Sequence, residues 1–135
     1  MKIIRPTKKS IFGIHNHTGI KRIFQLRVGL SPLKSHKKSH NFQDTPDDKC
    51  ICMSSETTKH FLLKCPIFNV CRLNLFHKLN PILIANNLHN LNDSEMLHLL
   101  LYGHVKLPFL SNQTILKATI CYIEKTHRFP QIEES

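Results

Sequence analysis

The sequence predicts a mostly α-helical protein of about five helices carrying one small zinc-knuckle-like Cys/His element. Apolar residues recur at three- and four-residue spacing through the second half, first as Phe68, Cys71, Leu75 and Leu79 and later as Ile115, Leu116, Thr119, Ile120 and Ile123. Residues that start and stop helices bracket such runs, as Asn92 or Asp93 and Gly103 do around Glu95 to Tyr102. Cys50, Cys52, His60 and Cys65 add a C-x-C-x7-H-x4-C spacing. At 135 residues the chain has room for one domain with a modest core and none for a polymerase.

In chain order, residues 1–17 form a basic lead-in with neither a helical nor an alternating period. A basic helical pair spans 18–42. Thr18 caps its first helix, which runs to Val28 and ends at Gly29. Ile20, Ile23 and Phe24 share one face of it, and Lys21, Arg22 and Gln25 lie opposite. Arg27 projects into the apolar face, where a charge needs a partner. Glu56 is the candidate because no other acid lies between Asp48 and Asp93; a bound phosphate is the alternative. Ser31-Pro32 caps a second short helix from Leu33 to His40. His36 and His40 lie one turn apart on it with no cysteine or carboxylate nearby in sequence, so they read as facing phosphate or solvent.

Residues 43–66 are a turn-rich linker and the knuckle, with Asp47-Asp48 read as solvated. A helical packing unit covers 67–128. Its first helix opens at Pro66 and ends before Pro81, Cys71 belongs to the core, and Ile82-Leu83-Ile84 fits a strand or a helical turn equally. Ser111 caps a last helix from Asn112 to His127, with Cys121, Lys117, Lys125 and Arg128 on its wet side. Residues 129–135 are a tail that should fray.

The knuckle gathers three thiols and an imidazole within sixteen residues. Three thiolates and one imidazole make a closed tetrahedral shell suited to structural Zn²⁺, with no open position for a substrate. His60 and Cys65, five apart, would point about 140° from each other on a continuous α-helix. Pro66 disfavours a helical Cys65, so the short helix that starts near Ser55 or Glu56 stops by Lys64 and both ligands can turn to one point. Reduced cysteines beside a helical histidine are the alternative. No signal peptide opens the chain and no apolar run approaches the about 18 residues of a membrane span, which points to a reducing nuclear or cytoplasmic setting.

The net charge is +10, and its position says more than its size. Ten of the 19 Lys and Arg precede Asn41 with no acid among them, which leaves nine cations against nine acids in the rest. Lys21, Arg22, Lys34, Lys37 and Lys38 are the candidate contacts to a nucleic-acid backbone, because clustered cations bind phosphates without reading sequence. A solvated basic face is the alternative.

Several blocks together carry a family resemblance: Gln25-Leu26-Arg27-Val28-Gly29-Leu30-Ser31-Pro32-Leu33, the Cys/His run, Glu56-Thr57-Thr58-Lys59-His60-Phe61-Leu62-Leu63-Lys64-Cys65-Pro66, and Leu99-Leu100-Leu101-Tyr102-Gly103. Over nearly its whole length the chain resembles the segment that follows the reverse transcriptase in non-LTR (jockey or LINE-type) retrotransposon polyproteins. The resemblance implies a CCHC-like, nucleic-acid-binding knuckle in an accessory segment whose partners are RNA or DNA and the reverse transcriptase domain. Those polyproteins carry endonuclease and polymerase domains upstream that these residues do not include, and their knuckles often have glycine where this chain has Met53. The readings that remain are a structural or docking module and a relic reading frame. No Ser/His/Asp arrangement, phosphate-cradling glycine loop or spaced carboxylate set suggests an enzyme.

Overall fold

A computed structural model of the chain describes residues 13–40 and 47–130. The basic lead-in up to residue 12, most of the linker at 41–46 and the tail beyond 130 lie outside the described residues. Among the described residues there are five α-helices and no strand: α1 His17–Val28, α2 Lys34–Ser39, α3 Asn69–Ala85, α4 Asp93–Tyr102 and α5 Phe109–Thr126. Between α2 and α3 come the knuckle, a π-helical turn His60–Lys64 and a 3₁₀ turn Pro66–Phe68.

Helix α5 is the central packing element, with α1, α3 and α4 laid against it. Its predicted stripe is buried at every position from Ile115 through Ile123, because the 3.6-residue repeat puts those side chains on one face. Gly19 lets α1 approach closely, since a Cβ there would overlap the Ile120 side chain. Gly103 ends α4 with φ 79°, and a Cβ there would lie 2.6 Å from Asn112 Oδ1. That oxygen instead accepts the His104 N–H at 2.8 Å, which ties the α4–α5 loop to α5.

Several helix boundaries differ from the sequence reading. Asn16 caps α1 in place of Thr18, its side-chain oxygen accepting the Gly19 N–H at 2.8 Å. Leu33 is the N-cap of α2, and the Ser31 hydroxyl accepts the Leu33 N–H at 3.2 Å in a turn of its own. Helix α5 starts at Phe109 behind Pro108, with Ser111 inside it. Helix α3 continues through Pro81 to Ala85 and absorbs Ile82-Leu83-Ile84. Pro81 lies on the exposed face, so the hydrogen bond it cannot make is lost toward solvent, while buried Leu79 and Leu83 hold the helix on the other side. The end of α4 follows the reading, with an Asn92–Glu95 capping box at its start. No helix among the described residues is long and apolar enough to cross a membrane.

Candidate metal centre

Two short pieces of chain bring the four knuckle ligands together. Asp48 clasps the first: its carbonyl accepts the Glu56 N–H at 2.7 Å and its carboxylate the Ser55 hydroxyl at 2.7 Å, above an isolated bridge from Lys49 to Ser55. The aspartates are therefore not merely solvated; Asp48 closes the base of a tight loop. Within the loop the Cys50 N–H donates to Ser54 O at 2.7 Å and the Met53 N–H to Cys50 O at 2.9 Å, so Cys50 and Cys52 project to one side. Met53 has φ 79°, the left-handed region that glycine occupies without strain.

The second piece is the π-helical turn. The Cys65 N–H donates to His60 O at 2.7 Å, an i→i+5 closure, and Cys65 is extended at φ −61°, ψ 121° ahead of Pro66. Closing on the fifth residue instead of the fourth brings Cys65 beneath His60, and this adds to the break at Pro66 in aiming both ligands at one point. The four ligand atoms all lie within 4.8 Å of one another. Cys50 Sγ is 3.7 Å from Cys65 Sγ and Cys52 Sγ is 3.2 Å from His60 Nε2. This Cys3His group can hold a metal ion. Cys71 stays outside it, packed against the core as expected.

Protonation within the cluster varies with surroundings. A hydrogen bond from the Ser54 amide holds the Cys52 thiol below its ordinary pKa, whereas burial pushes Cys65 up to about 11. Burial also lowers His60, which keeps the imidazole neutral and Nε2 available as a donor to metal. A cation at the centre reverses the thiol preference, so loading the site releases protons.

Sequence reasoning missed the groups that hold the π-helical turn from behind. A helix end leaves carbonyls without partners. Here the Tyr122 hydroxyl donates to Phe61 O at 2.5 Å, Arg72 Nε to Leu62 O at 3.1 Å and Arg72 Nη2 to Cys65 O at 2.8 Å. Below them Phe61, fully buried, packs edge-on against Phe68 and Tyr122 at 5.6 and 5.5 Å between ring centroids, and against Phe129 at 5.3 Å. Phe129, the first residue of the predicted tail, therefore packs against the core. No signal short of the tertiary fold distinguishes Arg72 or Tyr122 from other residues on an amphipathic helix.

The predicted pairing of Arg27 with Glu56 does not occur. Glu56, 3% exposed, takes Arg128 instead: Nε donates to Oε2 at 2.6 Å and Nη2 to Oε1. Its Oε1 also accepts the Lys34 N–H at 2.8 Å, so the same carboxylate caps α2. Burial alone would raise the Glu56 pKa, but the Arg128 and Lys34 hydrogen bonds outweigh it and hold the carboxyl below its usual range. Arg128, expected on the wet side of α5, turns inward because the chain leaves the helix at His127 with φ 51°.

Arg27 serves the end of α4, where its Nε donates to Leu101 O at 2.7 Å and its guanidinium stacks on Tyr102 at 4.5 Å and Phe24 at 5.1 Å. Its Nη2 is buried without a partner, a cost of about 1–3 kcal/mol. Arg22, expected to face a nucleic-acid backbone, is turned away from the exposed basic face. It is 5% exposed, lies 5.0 Å over the Phe129 ring and donates to Pro130 O at 2.7 Å, because the C-terminal segment folds back over α1. His36 is committed too: Nδ1 accepts the Ser31 N–H at 3.2 Å, and Nε2 lies 3.1 Å from Thr58 Oγ1, which bridges α2 to the knuckle. Lys21 and Lys38 are exposed, and Lys34 and Lys37 are partly so. Comparison with protein-family models, with characterised proteins and with solved structures finds no match to this chain.

Proposed function

We propose that this domain binds one structural Zn²⁺ through Cys50, Cys52, His60 and Cys65 and uses it to steady a basic surface against the phosphate backbone of RNA or DNA, as an accessory segment of a retroelement reverse transcriptase. The geometry of the cluster favours zinc. A tetrahedral ion with Zn–S bonds of about 2.3 Å has S···S edges of about 3.8 Å, close to the 3.7 Å between Cys50 and Cys65. The corresponding S···N edge is about 3.6 Å, so the 3.2 Å from Cys52 to His60 needs to open by a few tenths of an ångström.

The observation that carries the nucleic-acid reading is the path from metal to lysines. Glu56 sits four residues before His60 and binds the first N–H of α2, the helix that displays Lys34, Lys37 and Lys38. Order at the metal is thereby transmitted to the basic surface, and Lys21 on α1 extends it. An accessory docking module is the second reading. It is favoured by Ile67 just before α3 and by Val70, Leu73 and Ile84 on it, apolar side chains that are 50–73% exposed.

Salt dependence separates the two. Backbone binding falls linearly with log salt at about 0.9 per neutralised phosphate on duplex DNA, and docking through an apolar face does not. Changing Lys34, Lys37 and Lys38 together to Gln is expected to lower both affinity and slope, and changing Lys117 and Lys125 on the exposed face of α5 is expected to alter neither. Equal losses from the two sets, or no binding at low salt, favours the docking module.

A further inference from the structure

Arg27 lines an open cleft of about 440 Å³ between α1, α2, the residues just before the π-helical turn and α4. His36, Thr58, Ser94, His98 and Tyr102 share its walls, so with Arg27 the polar lining comes from four stretches of chain. Among the described residues the guanidinium reaches no carboxylate. Its Nε is taken by Leu101 O, and buried Nη2 has no acceptor. The Tyr102 ring lies 4.5 Å beneath the guanidinium and is itself stacked on His98 at 4.6 Å, which fixes the plane of the fork. Burial lowers the Arg27 pKa, though arginine remains cationic at any physiological pH.

A charged fork that is held flat, has its Nε occupied and lines a cleft shared with two hydroxyls and imidazoles suits a tetrahedral oxyanion. The surrounding groups fit the same ligand. Thr58 Oγ1 lies 3.1 Å from His36 Nε2 and can accept that ring's proton while its own hydroxyl proton remains to donate. Ser94 has a hydroxyl in the opposite wall, in the first turn of α4 where the helix dipole favours negative charge.

We propose that this cleft is a phosphate-binding site, with Arg27 as its anchoring cation and Ser94, Thr58 and His98 as flanking donors. It is separate from the lysine surface of α1 and α2 and does not depend on that surface's role. The phosphate can be a free ion or one unit of a nucleic-acid backbone, since both present the same oxygens.

The test is a titration of the full-length, metal-loaded, isotope-labelled chain followed by NMR at constant ionic strength. One arm uses inorganic phosphate against chloride and the other a short single-stranded oligonucleotide without terminal phosphates. Saturable shifts of the Arg27 Nε–H and the His98 ring are expected, and they should persist when Lys34, Lys37 and Lys38 are changed to Gln. A response to both probes assigns the site to any phosphate group, and a response to the oligonucleotide alone assigns it to the polymer backbone. Arg27→Ala risks loosening the α1–α4 contact, so the decisive variant is Ser94→Asp. Its carboxylate enters the cleft at a position that suits a helix start, should move the Arg27 signal without ligand, and should abolish the saturable response. An Arg27 signal that neither probe moves, or a response that survives Ser94→Asp unchanged, overturns the proposal.

Discussion

The Glu56–Arg128 pair offers the sharpest test of how the domain is held together. Glu56 has 4% of its side chain exposed and Arg128 23%, so the acid is fully desolvated and the base only in part. Removing one partner of a buried pair costs about 3–5 kcal/mol, because the other is left buried and uncompensated. Arg128→Ala leaves the more deeply buried charge behind with the Lys34 N–H as its remaining hydrogen-bond donor, which places it at about 3 kcal/mol. Glu56→Ala strands the partly wet arginine, a smaller penalty, but also removes the α2 cap, worth about 1 kcal/mol, so it is expected to cost about the same. The double variant should fall short of the sum by about 1–3 kcal/mol. Urea unfolding of the metal-loaded chain followed by circular dichroism measures all three. Additivity within about 0.5 kcal/mol refutes the pairing, whereas additivity is the expected result for Arg27→Ala with Glu56→Ala. The pH dependence has a fixed sign. Hydrogen bonds hold the folded-state pKa of Glu56 below its ordinary value of 4.5, so its contribution is fully present above about that pH and is lost as pH falls through the lowered value.

The knuckle carries three further expected outcomes. Native mass spectrometry should find one metal ion per chain, released by Ser in place of Cys50, Cys52 or Cys65 and by His60→Ala, and retained in Cys71→Ser and Cys121→Ser; a full equivalent surviving the loss of His60 removes it from the ligand set. Chelation should deprotect the amides of residues 47–66 in hydrogen exchange before those of α3 and α5, since metal-binding energy there is folding energy. Met53→Gly should raise stability by about 0.5–1 kcal/mol, because relief of a left-handed non-glycine conformation outweighs the added chain entropy. A lower urea midpoint for that variant contradicts the strain.

The fold class and the Cys/His cluster were legible because both are local in sequence. Periodicity dictates which face of α5 is buried whatever it packs on, and the ligand spacing together with Pro66 confines where Cys65 can point. The Asn92–Glu95 box and Gly103 delimit α4 by backbone chemistry alone. Partner choice was not legible. Arg22, Arg27, Arg72 and Arg128 are all arginines near apolar residues in the sequence, and each ends on a different acceptor: Pro130 O, Leu101 O, the carbonyls of the π-helical turn, and Glu56. A long cation satisfies whichever orphaned carbonyl or carboxylate the packed helices bring within reach, and most of those acceptors come from residues distant in the chain. The continuation of α3 through Pro81 has the same origin, since whether a missing hydrogen bond is tolerated depends on which side of the helix meets solvent. Sequence alone specified the helical class and the Cys/His cluster; tertiary packing decided which charges were left for a partner, because burial and the positions of unpaired acceptors exist only once the helices are assembled.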